Sequence, residues 1–254
     1  MSFINIIPIA SGSTGNSIYI EIGKYKLLVD MGIGYRKIRD VLLMHDRSIE
    51  DIDAVFLTHG HSDHVKGAKA IGNHINCKIY CDASVMYPIR DIKAERVVIN
   101  LNEQFIPLDG LKVKSFSIPH DYVKTCGYSF IYDNHKVSYL TDCGKISKDI
   151  LRQLEGSDVV VLESNHDIEM LKNGPYPIEL QNRIMSKYGH LSNDDCAETI
   201  AYLYNKGTKN FILAHLSEKN NTVELALKTS LDKMKGTDVY IYACKAENDD
   251  LLSF

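Results

Sequence analysis

No apolar run in this 254-residue chain approaches the roughly 18 to 20 residues needed to cross a bilayer, so membrane insertion is not expected. Nor does the opening Met1-Ser2-Phe3-Ile4-Asn5 carry the positive charge that starts a secretory leader, which makes a cytoplasmic location the expectation. The six cysteines (Cys77, Cys81, Cys126, Cys143, Cys196, Cys244) are scattered, and a chain of this length has no need of disulfide staples. They are expected to be reduced and mostly buried. Cys77 and Cys81 lie four apart, with no second close pair to complete a zinc spacing. Positive charge is also short: at −4 overall the chain lacks the basic balance that usually marks a nucleic-acid binder. That does not exclude a nuclease, because bound divalent cations can supply the positive field a phosphate needs. Repeats, low-complexity tracts and Pro/Ser-rich linkers are absent, so a single domain over 1–254 is expected.

What is present begins with short apolar runs, Phe3 to Ala10, Ser17 to Ile22 and Lys26 to Met31, bounded by Gly-containing turns in the manner of a β-meander. Tyr35 to His45 reads as a helix with Ile38, Val41 and Leu42 on one face. Ala54 to Thr58 is a continuous buried-strand run. Strands are predicted at Lys78 to Cys81, Arg96 to Asn100 and Lys112 to Pro119, and a hairpin over Gly127 to Asp142 about Asp133-Asn134. Strand and helix then alternate through Asp158 to Glu163, Ile178 to Tyr188, Cys196 to Lys206, Asn210 to Ala214, Thr222 to Lys235 and Val239 to Cys244, with Asp194 and Thr222 at helix N-cap positions. Two strand-rich halves with helices to cover one face of each suggest two stacked sheets with helices outside.

The chemistry gathers at Thr58-His59-Gly60-His61-Ser62-Asp63-His64, four ligand-type side chains in six positions after an apolar strand. His59 and His61, two apart in extended chain, leave on the same side. Neutral imidazole with carboxylate suits Zn, Fe or Mn. This stretch resembles the signature of the metallo-β-lactamase fold superfamily. The resemblance implies an α/β (α+β) fold, a four-layer αββα sandwich of two mixed sheets with outer helices and a metal pair at one edge. Its later motifs match Ser117-Ile118-Pro119-His120-Asp121, Tyr139-Leu140-Thr141-Asp142-Cys143-Gly144 and Phe211-Ile212-Leu213-Ala214-His215-Leu216-Ser217. Carried over, His59, His61 and His120 would hold one divalent ion and Asp63, His64 and His215 a second, with Asp142 bridging. Each ion would keep an open position, as catalytic sites do. Cys143, which follows the aspartate, is expected to face away.

A closer resemblance covers nearly the whole chain. Ala10-Ser11-Gly12-Ser13-Thr14-Gly15-Asn16-Ser17, Leu162-Glu163-Ser164-Asn165-His166-Asp167 and Tyr188-Gly189-His190-Leu191-Ser192-Asn193 resemble the YycJ/WalJ group. This implies a cytoplasmic bacterial 5'-to-3' exonuclease on DNA with a functional link to a cell-wall two-component system. Gly189-His190-Leu191-Ser192 is similar to a histidine motif of relatives that carry a β-CASP insert. Only 72 positions separate Asp142 from His215, too few for that extra domain.

The expected reaction is two-metal phosphodiester hydrolysis, with a bridging hydroxide attacking phosphorus in line and Asp63 orienting it. His190 is the candidate proton donor to the leaving oxygen and His166 the second. Because nearby cations disfavour imidazolium, a compensating charge is required, from Asp194 and Asp195 or from substrate phosphate. A purely supporting role for His190 stands beside this. His166 and Ser192 are candidate substrate contacts, and Asn16 could support a metal ligand or meet the substrate. The Gly-rich turn Ser11 to Ser17 is either a tight connection or a phosphate contact, and it lacks the lysine and spacing of a P-loop. His45, His74 and His135 are read as surface residues. Lys66, Lys69, Lys124, Lys145 and Lys148 could track a nucleic-acid backbone or simply face water. Two rivals remain: a thioester or lactone hydrolase of the same fold, and a non-catalytic regulatory metal-binding protein.

Overall fold

The computed structural model describes residues 3–254; Met1 and Ser2, the start of the segment read for a leader, lie outside the described residues. In chain order the first half holds β1 (Ile4–Ala10), β2 (Ser17–Ile22), β3 (Tyr25–Val29), α1 (Tyr35–Met44), β4 (Ala54–Phe56), α2 (Ser62–Val65), α3 (Ala68–Gly72), β5 (Lys78–Cys81) and β6 (Arg96–Val98). The second holds β7 (Gln104–Leu108), β8 (Leu111–Ile118), β9 (Thr125–Tyr132), β10 (His135–Leu140), α4 (Lys148–Leu154), β11 (Val159–Glu163), α5 (Ile168–Asn173), α6 (Ile178–Ile184), α7 (Asn193–Tyr204), β12 (Asn210–Ala214), α8 (Val223–Lys233), β13 (Tyr240–Ala243) and β14 (Leu252–Ser253).

These strands form two seven-stranded mixed sheets, ordered β14-β1-β2-β3-β4-β5-β6 and β13-β12-β11-β10-β9-β8-β7. The side-chain period of two explains the stacking. On β2, Ile18, Ile20 and Ile22 enter the core shared with the other sheet, while Tyr19 faces the cluster built with Ile38, Val41 and Leu42 of α1. On β11, Val159 and Val161 join the shared core, whereas Val160 and Leu162 pack with Ile150 and Leu154 of α4 and Ile200 and Leu203 of α7. Strands covered on both faces read as unbroken apolar runs. The result is the four-layer αββα sandwich that the resemblance implied.

The meander β1-β2-β3 pairs antiparallel as expected, and Asp133 and Asn134 take φ of 50° and 69°, the left-handed pair that a two-residue hairpin requires. The strands β7 and β14 and the helices α2 to α5 were not anticipated, being short or of mixed pattern. Two expectations are corrected. The N-cap of α7 is Ser192, whose hydroxyl accepts the Asp195 N–H, so the helix starts earlier than an Asp194 cap would place it. The helix predicted to reach Tyr188 ends at Ile184, because the chain reverses there and His190 N–H bonds back to the Ile184 carbonyl at 2.9 Å. Gly189 permits the reversal, since a Cβ would stand 2.1 Å from that carbonyl oxygen.

In each sheet a run of parallel strands, β3 to β6 and β10 to β13, points its carboxyl ends the same way. Crevices outside such ends are where α/β folds bind ligands. Among the described residues no helix is long and apolar enough to cross a membrane.

Candidate metal centre

Each candidate ligand follows a strand: His59 after β4, His120 after β8, Asp142 after β10 and His215 after β12. Asp142 and His215, and Asp30 after β3, have φ of 58°, 57° and 63°. Asp and His enter this left-handed region more readily than most residues, but each such turn still costs on the order of 1–3 kcal/mol. Three at one site indicate geometry held for function. Loops after three strands are locked by backbone bonds, Asn16 N–H to the Asp63 carbonyl, Gly32 N–H to Asn16 and Met31 N–H to His64, all 2.8 Å. Gly32 makes this possible, since a Cβ there would fall 1.6 Å from the Asp63 carbonyl oxygen.

Within a 4.8 Å limit the donor atoms gather as His59, His61 and His120; as Asp63, His64 and His215; and as Asp142 with His59 and His64. The seven sequence-predicted residues are thereby brought to one place, where Asp142 and His215 also gather with Glu163 and His190.

The imidazoles are oriented by their other nitrogens. Thr58 Oγ1 donates to Asp30 and faces His59 Nδ1 at 3.0 Å, so that nitrogen carries the proton and leaves Nε2 its lone pair. His64 Nδ1 bonds Asp30 Oδ2 at 2.7 Å, His215 Nδ1 bonds Glu163 Oε1 at 2.8 Å, and His120 Nδ1 faces the Gly189 carbonyl at 3.3 Å. Four Nε2 atoms are thereby presented to the centre in the pattern that metal-binding histidines use. Asp142 Oδ2 and His215 Nε2 are buried without a hydrogen-bond partner. Buried polar atoms left so are rare and call for an explanation. A divalent cation held by these residues would supply it, and the residues present fit the metal that the resemblance implied.

Charge follows the same plan. Burial, then the charge of His64, holds His59 far below the ordinary imidazole range, and burial with His120 does the same more weakly for His61. Both imidazoles are thus held neutral, the form in which they could bind a cation. Burial alone would raise Asp63 and Asp142, but His215 and His64 beside each of them win and keep both ionised. Burial opposes protonation of His215 as well, yet Asp142, Asp63 and Glu163 lift it to about 10. His64 is raised by Asp30 and Asp142 against the same opposition.

A pH dependence follows. With His215 at about 10 folded and about 6.5 unfolded, the stability its proton contributes is complete below about pH 6.5 and lost as pH rises toward 10. A cation must displace that proton, so metal affinity should increase with pH over the same window. Calorimetric zinc titration of stripped protein at pH 7, in buffers of different ionisation enthalpy, is expected to show release of about one to two protons. Zero release would remove His64 and His215 from the ligand set.

Sequence reasoning missed three carboxylates. Glu163, fully buried, accepts from His190 Nδ1 (2.9 Å) and His215 Nδ1 at Oε1, and from Cys143 N–H (2.8 Å) and Leu191 N–H (3.1 Å) at Oε2. Asp30 holds His64 and Thr58. Asp121 lies 3.3 Å from His120 Nε2 and 3.7 Å from His61 Nε2, and pairs with Arg183. The available signal was a charged residue closing an apolar strand, at Leu28-Val29-Asp30 and Val161-Leu162-Glu163.

His190 borders the centre, its Nδ1 3.8 Å from Asp142 Oδ1. Burial would lower its pKa, but Glu163 raises it, so the compensating charge comes from Glu163 and not from Asp194 or Asp195. Asp195 instead accepts from Ser192. Asn16, His166 and Ser192 are all buried. Asn16 donates to Asp63 Oδ2 and contacts His64 Nε2, the ligand support that its sequence position allowed; Ser192 caps α7, and His166 is only 2% exposed. The Ser11–Ser17 turn also braces the site, with Ser11 Oγ accepting the His215 N–H at 2.7 Å. Cys143 turns into the core away from the ligands, and all six cysteines are free thiols. Of the five lysines considered, Lys124 lines a groove beside His120.

A sandwich with a histidine–aspartate centre at its strand ends is a metal-dependent hydrolase of the metallo-β-lactamase fold, and the chain belongs to this family: the β-lactamase superfamily domain matches residues 25–216. It is 35% identical over 237 residues to exodeoxyribonuclease WalJ of Streptococcus pneumoniae serotype 2 (strain D39 / NCTC 7466), covering 91% of this chain and 88% of that protein. To exodeoxyribonuclease YycJ of Bacillus anthracis it is 34% identical over 222 residues, 86% of this chain and 84% of that protein. The crystal structure of YhfI from Bacillus subtilis superposes with a TM-score of 0.74 at 15% identity, over 98% of this chain and 99% of that one, a likeness of fold.

Proposed function

We propose that this protein is a DNA exonuclease that hydrolyses phosphodiester bonds from the 5' end, acting in the cytoplasm as a single domain with two divalent ions bound. The observation that carries the reading is 35% identity over 91% of the chain to an exodeoxyribonuclease, in a chain that also gathers histidine and aspartate groups able to hold a metal. His59, His61 and His120 would hold one ion and Asp63, His64 and His215 the other, with Asp142 shared; the donor set suits Zn, Mn or Fe. Bound there, the ions supply Lewis-acid neutralisation of charge on the phosphoryl oxygens and activation of water.

The remaining work falls to side chains of this chain. Asp63, ionised and with 21% of its side chain exposed, orients the attacking water and accepts its hydrogen bond. His190 donates Nδ1–H to Glu163, keeps 23% of its side chain exposed, and carries a proton at Nε2 for the leaving oxygen. Glu163 stabilises that imidazolium, as a carboxylate behind a histidine does.

The test is a time course on DNA labelled separately at each end, with Zn, Mn or Fe restored to stripped protein. Mononucleotide is expected first from the 5' label. Internal fragments would make the protein an endonuclease, and hydrolysis of S-lactoylglutathione with no cleavage of DNA would replace the reading by a thioesterase.

A further inference from the structure

A cavity of about 240 Å³ opens beside the metal centre between the α5–α6 segment and the loop after β12. His190 and Asp121 border both, so a ligand in the cavity abuts the ligand set. One wall is apolar: Tyr176, Leu180 and Ile184, four residues apart and half-buried. The other is polar and unsatisfied. Asn165, 4% exposed, commits Nδ2 to the His215 carbonyl at 2.8 Å, and among the described residues nothing donates to its Oδ1. Ser217, 8% exposed, accepts from Asn220 at 3.2 and 3.4 Å but donates its own hydroxyl proton to no described residue. An acceptor and a donor left open at a cavity wall select a partner with matching polar edges. An apolar face set against one acceptor and one donor matches a nucleobase with its sugar, the base stacking on the tyrosine.

Size decides how much enters. Sites for drug-sized ligands run from about 300 to 1,000 Å³, so this smaller cavity admits one nucleoside and not two. Across the centre, His120 borders a groove of about 760 Å³ that includes Tyr122, Lys124 and Tyr188, room for several nucleotides. His120 and His190 stand with ring centroids 5.2 Å apart, so cavity and groove flank the same point. Building on the exonuclease reading, we propose that the 240 Å³ cavity is the subsite for the terminal nucleoside, with the rest of the strand leaving along the groove. A cavity with room for one nucleoside on one side of the metal centre sets the length of each product at one nucleotide. Arg183, paired with Asp121 at the cavity, removes the negative charge that would otherwise repel the terminal phosphate.

The test is titration of zinc-loaded protein with deoxyadenosine 5'-monophosphate, followed by amide NMR, together with product sizing on end-labelled DNA. Shifts are expected at Ser13, Asn165, Leu180 and Ser217. Leu180→Trp, which fills the cavity, should weaken binding at least tenfold and lengthen the first DNA product beyond one nucleotide. Tyr176→Ala, at the half-buried edge and less apt to disturb folding, should weaken binding about tenfold through the lost stack. Shifts confined to the metal ligands, or undiminished binding in both variants, would overturn the subsite. Cavity binding by a protein that cleaves no DNA would keep the subsite and remove the exonuclease reading; DNA cleavage with no cavity binding would do the reverse.

Discussion

Asp142→Asn is expected to cost on the order of 10³-fold or more in turnover, about 4 kcal/mol of barrier, and to leave the protein with at most one tightly held ion. Asp142 is the one carboxylate placed among both histidine sets: its oxygens lie 3.2 Å from His64 Nε2, 3.6 Å from His215 Nε2 and 3.7 Å from His120 Nε2. The substitution keeps shape, and Asn tolerates the left-handed backbone at this position, so the fold should survive. What disappears is the negative charge that a pair of cations close together needs between them. In its place an NH₂ group would point at imidazole lone pairs or at metal. Metal analysis after dialysis checks the stoichiometry, and melting gives an independent readout. Metal at about 1,000 times its Kd stabilises by about 4 kcal/mol, which for a chain of this size is roughly 10 °C, and most of that gain should vanish in the variant. Two ions retained with a normal metal-induced shift would show that Asp142 is not a ligand.

Glu163→Gln is expected to lower the melting temperature of the metal-free protein by roughly 10 °C and to reduce metal affinity or activity 10- to 100-fold. The carboxylate is fully buried and accepts at both oxygens, from two imidazoles on one side and two backbone amides on the other. A glutamine offers only one acceptor oxygen. Whichever way its amide turns, an NH₂ faces a pair of donors in a fully buried site. Breaking a buried charged network by removing one partner costs about 3–5 kcal/mol. The sign with pH is also determined. Although burial opposes it, His190 and His215 hold Glu163 at about 2, below the ordinary 4.5 of a glutamate. The stability it contributes is therefore present above about pH 4.5 and lost as pH falls toward 2. The variant should flatten that acid limb of the stability profile, measured as melting temperature against pH. An unchanged limb would mean that the network is held by the backbone amides alone.

The two variants divide along a line that also separates what could be read in sequence. Asp142 stands in a motif with a fixed position after a strand, so it was recognisable beside His59, His61, Asp63, His64, His120 and His215. Metal ligands constrain residue type tightly, because few side chains bind a divalent ion, and four of them cluster in one seven-residue stretch. Glu163 lay in a quoted motif with no role attached. Its function depends on β11 lying parallel between β10 and β12, which puts its carboxylate beside the loops that carry both Asp142 and His215. Asp30 depends in the same way on β3 pairing with β4, so that it reaches Thr58 and His64. Neither neighbour relation is local in sequence. Asn16, which the sequence left between bracing a ligand and meeting the substrate, lies against Asp63 and His64, and Ser192 caps a helix, because hydrogen-bonding partners within a few ångströms decide what a small polar side chain does.

The sequence by itself determined the layered architecture, since apolar periods of two and of 3.6 record which faces are buried, and it determined the metal chemistry, since ligand identity is written in residue type. Tertiary structure alone decided how that centre is held and what stands next to it. The carboxylates that orient the histidines, the left-handed turns at the strand ends and the cavity walled by Tyr176, Leu180, Asn165 and Ser217 all come from segments far apart in the chain. Their meeting is a property of strand order and loop packing, which no single stretch of residues encodes.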